Sequence, residues 1–196
     1  MRRIPIAAAV ASTLVIAHTV TSTQGGKPPQ LATDISAAEV QAVLKAPSVI
    51  ADRLVTAVDM GAYNVGVGAL RRGPTTPGAP VGAINHEQIT EVYYIVSGTG
   101  TLLTGGAVTA SRVVTAADAA GKEILTAVGP SNQGTFSTPA QRRKVGPGDI
   151  VIIPPGVYHG FDDVPAGGID YVAVRPDPNR VLKAGYVHSA VTAAKK

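Results

Sequence analysis

One stretch constrains the fold more than any other: Gly148-Asp149-Ile150-Val151-Ile152-Ile153-Pro154-Pro155-Gly156-Val157-Tyr158-His159. The run from Ile150 to Ile153 is β-branched throughout. Branching at Cβ limits rotamers in a helix and packs well on a pleated surface, so the run suits a buried strand. Pro154, Pro155 and Gly156 end that strand, because proline removes a backbone donor and glycine opens turn conformations. The turn delivers His159 to the start of the next strand, close to the core. A histidine held on a rigid turn serves as base, proton donor or metal ligand, or as a satisfied structural residue.

A second stretch runs from Asn85 to Leu102. Glu91 to Val96 is rich in β-branched and aromatic residues and reads as a strand. Ser97-Gly98-Thr99-Gly100 reads as a hairpin turn, with Thr101-Leu102-Leu103 starting the return strand. His86 and Glu91 flank the short turn from Glu87 to Thr90, which lets both point into one space from adjacent strands. A histidine, a carboxylate and a distant second histidine form a ligand set typical of a divalent transition metal.

The two stretches resemble the paired motifs of the cupin superfamily. The first motif is matched by Gly78, five residues, Ile84, Asn85, His86, four residues, Glu91, six residues and Gly98. The second is matched by Gly148, five residues, Pro154, Pro155, Gly156, two residues, His159, three residues and Asp163. Two positions depart from the pattern: Ile84 stands where the family has its first metal-binding histidine, and Asp163 where it has asparagine. The resemblance implies an all-β chain, a single cupin jelly-roll β-barrel of two antiparallel sheets with a short N-terminal helix. It implies a divalent transition metal (Fe, Mn, Zn, Ni or Cu) on His86, Glu91 and His159. Gln88 stands near enough to offer a weak fourth ligand, although the family pattern places none there. Two histidines and one carboxylate with open positions resemble a non-haem iron site. The function implied is a metal-dependent, dioxygenase-like oxidoreductase on a small organic substrate, with Glu91 and His159 as catalytic residues. Two other readings stay open: a non-catalytic cupin that binds a small molecule, with or without metal, and a metal-independent isomerase using His159 with a tyrosine. Cupins commonly pair through edge strands, so the resemblance also implies a homodimer.

Around the motifs, the chain divides into a signal peptide over 1–22, a lead-in and short helix over 23–51, the barrel over 52–175 and a tail over 176–196. Met1-Arg2-Arg3 is a basic start, and the apolar run from Ile4 to Ala17 is too short for a membrane span. This predicts a secreted or periplasmic protein with no stable membrane span after cleavage. Removal would take Arg2 and Arg3 and no acidic residue, leaving 15 basic against 13 acidic residues, a net charge of +2 instead of +4. The short clusters Arg71-Arg72 and Arg142-Arg143-Lys144 lack interleaved aromatics, so they read as solvated surface and nucleic acid is not an expected partner. The second cluster leads into the second motif, where it could also meet an anionic substrate. Cysteine is absent, which excludes disulfides and thiolate chemistry.

Ser36-Ala37-Ala38-Glu39 has the form of a capping box, and Pro47 stops the helix that follows. From Tyr63 to Ala69 the odd positions share one strand face, while Asn64, Gly66 and Gly68 share the other. Such glycines admit a close backbone or ligand, or relieve crowding in a curved sheet. Between the motifs, Leu102-Leu103 and Val113-Val114 read as strands around a Gly105-Gly106 turn. Ala116 to Val128 is ambiguous. Gly129 to Ala140 reads as a polar loop, either a lid at the barrel mouth or inert surface. Tyr93 has the parity of Glu91 and shares its inner face; Tyr93, Tyr158 and Phe161 read as wall and core near the ligands. His188 reads as surface.

Overall fold

A computed structural model describes residues 27–29 and 31–194; the signal-peptide expectation therefore lies outside the described residues. The elements in chain order are α1 (Ala37–Lys45), β1 (Asp52–Asp59), β2 (Asn64–Arg72), β3 (Gly82–His86), β4 (Glu91–Gly98), β5 (Gly100–Val113), α2 (Ala119–Val128), β6 (Ser131–Val145), β7 (Ile150–Ile153), β8 (His159–Asp162), β9 (Ile169–Asp177) and α3 (Ser189–Ala194).

The strands form two facing antiparallel sheets. One has the order β1-β2-β9-β4-β7. The other runs β3-β6-β5-β8 and closes on itself where Ile84 of β3 pairs with His159 of β8. This is the jelly-roll barrel that the motifs imply. Its apolar core draws on both sheets: Leu70, Tyr93, Ile95, Ile169, Tyr171 and Ala173 from the first, Leu102, Val145 and Phe161 from the second. Strand parity does the sorting. In β9, Ile169, Tyr171, Ala173, Arg175 and Asp177 are all buried while the residues between them are less so.

The helices cover what the sheets leave open. Ser36 caps α1 through the capping box with Glu39. Val43 and Leu44 of α1 join Val191 of α3 over Val55 and Ala69, on the outer side of β1 and β2. Asp118 caps α2 by accepting from the Gly121 N–H at 2.7 Å. Gly129 (φ +68°) ends that helix, and its Ile124, Ala127 and Val128 pack with Leu54, Ile89 and Leu182.

Several expectations are corrected. Gly98 and Gly100 do not turn a hairpin. β4 pairs with β7 and β9, whereas β5 pairs with β6 and β8, so the chain crosses here from one sheet to the other. Gly98 sits at φ +73°, where a Cβ would stand 2.9 Å from the Ile169 Cα. Gly105 and Gly106 make no turn either; they kink β5 while it stays paired with β6. The stretch read as a polar loop is the strand β6. Its first half pairs with β3 as well as β5, and both of its faces are largely wet, which removes the apolar alternation that marks a strand. β7 is an edge strand rather than a buried one: Ile150 is 59% and Ile152 67% exposed, and only Ile153 is buried. The glycines of β2 make room for side chains rather than for a backbone or ligand. A Cβ on Gly68 would stand 2.8 Å from Arg175 Cζ, and one on Gly66 would strike Leu182. His188 is half-buried. Its N–H donates to Val55 O at 2.8 Å and its Nδ1 accepts from the Ala190 N–H at 3.1 Å, so it docks the tail on β1.

Candidate metal centre

The two motifs are bolted together by backbone and amide hydrogen bonds. The Gly156 N–H donates to His86 O at 2.8 Å, and Asn85 Nδ2 donates to Gly156 O at 3.1 Å. Gly156 holds φ +78°, the left-handed region that glycine enters without strain. The Pro-Pro-Gly turn therefore lies against the end of β3. It sets His159, the first residue of β8, beside His86, the last of β3, with ring centroids 5.0 Å apart. Between β3 and β4 the buried Ile89 pins the short connection, and Glu91 opens β4 facing inward. His86, Glu91 and His159 are 4%, 1% and 2% exposed.

Their ligand atoms lie within 4.8 Å of one another. Both Nε2 atoms stand 3.3 Å from Glu91 Oε2. The outer nitrogens fix the tautomers. His159 Nδ1 lies 3.1 Å from the Val157 carbonyl, which can only accept, so that nitrogen carries the hydrogen. Ser131 Oγ donates to Gly129 O at 2.9 Å and so accepts from His86 Nδ1, also at 2.9 Å. With both rings neutral, two nitrogen lone pairs and a carboxylate oxygen converge with no hydrogen among the three. A cation belongs there, either a proton on one ring or a metal ion. Outer hydrogen bonds of this kind orient metal-binding histidines and raise their basicity. The donor set therefore fits a divalent transition metal.

The other Glu91 oxygen is already taken. Arg175, fully buried, donates to Oε1 through Nε at 2.9 Å. It also pairs with Asp52 and donates from Nη1 to Ala127 O at 3.2 Å. Tyr93 O–H donates to Glu91 Oε2 at 2.7 Å. Burial works against the Glu91 charge, yet His86 and Arg175 beside it hold its carboxyl well below the usual range. Burial pushes His86 itself toward neutrality. The direction for Glu91 therefore rests chiefly on Arg175, whose charge is permanent. Burial, then the Glu91 charge, raise Tyr93 well above its ordinary value, which keeps its proton in place.

A cavity of about 580 Å³ opens beside this group. His86, His159 and Tyr93 lie along it, with Ile84, Ile124, Ala127 and Val128 as apolar wall. Ile84, which stands where the family pattern has its first histidine, is part of this wall. Gln88 is not among the described lining residues. Neither are Arg142, Arg143 and Lys144: Arg142 pairs with Asp162 at 2.8 Å and Arg143 with Asp149 at 3.3 Å, on the outside. Tyr158 points away as well, its hydroxyl 2.5 Å from Ser111 Oγ. Asp163 takes φ +50°, a conformation Asp and Asn tolerate, and accepts from Thr101 Oγ1 at 2.8 Å. Asp52, Arg72, Ser131 and Arg175 also stand at this group, and no motif in the sequence points to them. Arg72 belongs with the cavity and not with Arg71 on the surface, because strand parity sends the two to opposite faces.

No family model matches the sequence, and no curated protein matches it. Similar solved structures include a protein from Bacillus halodurans, at 13% identity over 86% of this chain and 99% of that one, with a TM-score of 0.45. They also include an RmlC-like cupin with a double-stranded β-helix fold from Methanocaldococcus jannaschii, at 11% identity over 65% of this chain and 83% of that one, with a TM-score of 0.37. An 11S globulin from Wrightia tinctoria matches at 14% identity over 58% of this chain, with a TM-score of 0.37; this chain spans only 20% of its length. The strand pairing and the two bolted motifs, rather than these likenesses, carry the fold.

Proposed function

We propose that His86, Glu91 and His159 hold a divalent transition metal and that the protein is a cupin-type, metal-dependent oxidoreductase acting on a small organic molecule in the adjoining cavity. The observation that carries this reading is the convergence of three lone-pair atoms whose outer partners fix both imidazoles with Nε2 bare. Bound there, a redox-active metal supplies Lewis acidity and electron transfer to oxygen. The chain's own residues do the rest. Arg175 holds Glu91 Oε1, so the carboxylate presents a single oxygen to the centre. Tyr93 donates a hydrogen bond to Oε2 from the other side and so orients the carboxylate. Ile84, Ile124 and Val128 give the substrate side apolar wall. A metal-independent isomerase is less well supported, because the Tyr93 hydroxyl bonds Glu91 and not His159.

The test is oxygen uptake by the metal-loaded protein with a panel of small acids and phenols, beside Glu91→Gln. Uptake that depends on substrate and falls in the variant supports the oxidoreductase. Tight binding of a panel member with no uptake at any metal favours a carrier. Export and pairing are part of the same proposal. Sequencing the N-terminus of the mature protein tests cleavage near residue 22. Pairing of two copies is supported by the outer face of β4, β7 and β9, where Tyr94, Val96, Ile150, Ile152 and Val174 are exposed, and light scattering tests it.

A further inference from the structure

Arg72 is the last residue of β2, and its parity is that of Gly68 and Leu70, so its side chain enters the barrel and lines the cavity. Two contacts fix its guanidinium. Nε donates to Tyr171 Oη at 2.8 Å, and Cζ lies 5.4 Å from the Phe161 ring centroid. Both partners are uncharged. Among the described residues no carboxylate bonds to Arg72, and its two terminal nitrogens keep their donors.

Its neighbours set the contrast. Arg71, on the outer face, holds Asp170 with two hydrogen bonds of 2.7 Å. Arg175, the other inward guanidinium, has Glu91 and Asp52. Arg142, Arg143 and Arg180 each have an aspartate. Arg112, from β5, also lines the cavity, and its Nη2 bonds only Gln133 Oε1, at 3.2 Å.

Charge balance points the same way. Arg72 and Arg175 offset Asp52 and Glu91, and Arg112 adds a further guanidinium on the cavity wall. A divalent ion at the centre would add two positive charges to a wall that already carries Arg72 and Arg112. An anionic ligand relieves that imbalance more effectively there than in water. A guanidinium fork is matched in shape and charge by a carboxylate.

We infer that the cavity takes a small organic acid whose carboxylate is anchored by Arg72, with the rest of the molecule directed at the His86, Glu91 and His159 group. This deepens the functional reading above and rests on the cavity being the substrate site. Arg72 is then the residue that selects acids over neutral molecules of the same shape.

The experiment uses the full mature chain with and without added metal, and four probe pairs: acetate, pyruvate, benzoate and salicylate, each beside its amide. Binding is read by calorimetry and by ligand-observed NMR, and metal content by elemental analysis. At least one acid is expected to bind the wild type about tenfold or more tightly than its amide. Arg72→Gln abolishes that preference with metal content unchanged, and Arg72→Lys restores part of it. Tyr171→Phe, which frees Nε, weakens acid binding in the same direction and guards against a misfolded Arg72→Gln. Acids that bind no better than amides, including no binding at all up to millimolar concentration, overturn the inference. So does a preference that survives Arg72→Gln. A preference that depends on Arg72 in a protein that holds no metal upholds the anchor and removes the metal reading instead.

Discussion

The barrel interior has two halves built from the same strands and opposite in chemistry. At one end Ile95, Leu102, Val145, Phe161 and Ile169 interlock as an ordinary apolar core. At the other end the same inward rows of β4 and β9 continue as Glu91 and Arg175, and β3 and β8 add His86 and His159. Tyr93 and Tyr171, with centroids 4.6 Å apart, mark the boundary. Each tyrosine presents its ring to the apolar core and its hydroxyl to a charged group, Glu91 or Arg72. The apolar half needs only volume and tolerates relaxation. The polar half is stable only while its buried ion pair of Glu91 and Arg175 stays matched.

The sharpest break of this comparison is Arg175→Met. It leaves the buried Glu91 and the partly exposed Asp52 without their counter-ion. Removing one partner of a buried pair costs about 3–5 kcal/mol, which a urea unfolding curve measures. Leu102→Ala in the apolar half is expected to cost about 3 kcal/mol while leaving metal content and acid binding unchanged. If Leu102→Ala also empties the centre, the halves are not independent. The two variants together therefore test the division as well as the energies.

Acid sharpens it further. Burial holds His86 below its ordinary 6.5, and Glu91 sits well below its ordinary 4.5. Each binds fewer protons folded than unfolded, so each contributes stability that is complete above the unfolded value and lost as pH falls. The metal-free protein should lose stability in two stages, below about 6.5 as His86 is forced to charge and again below about 4.5 as Glu91 is protonated. His86→Asn should remove the upper stage. The smallest effect is expected outside the barrel, where Ile152→Ser on the exposed face of β7 should shift monomer stability by no more than about 0.5 kcal/mol.

The site was legible to the extent that it is local. The Gly148–His159 stretch and the His86–Glu91 turn carry their geometry in turn residues and strand parity, and the structure brings His86, Glu91 and His159 together. What the ligands lean on is not local. Glu91 and Arg175 are 84 positions apart, and Asp52 and Arg175 are 123 apart. They meet only through the β1-β2-β9-β4 order of one sheet, which no short window reveals. Arg71 and Arg72 looked like one charged cluster, yet alternation alone puts one on the surface and the other in the cavity. Gly98 and Gly100 announce a change of direction without naming the partner strand, so a sheet crossing looked like a hairpin. β6 hid for the opposite reason: a strand wet on both faces has no apolar rhythm to read.

The metal centre is most directly tested by elemental analysis of the purified mature protein beside the His86→Ala, His159→Ala double variant. Both are first incubated with iron, manganese, zinc, nickel or copper and then desalted. About one transition metal per chain in the wild type, absent from a folded double variant, is the predicted result. No bound metal in either protein with any of the five ions would contradict the account and leave the converging lone pairs to a proton.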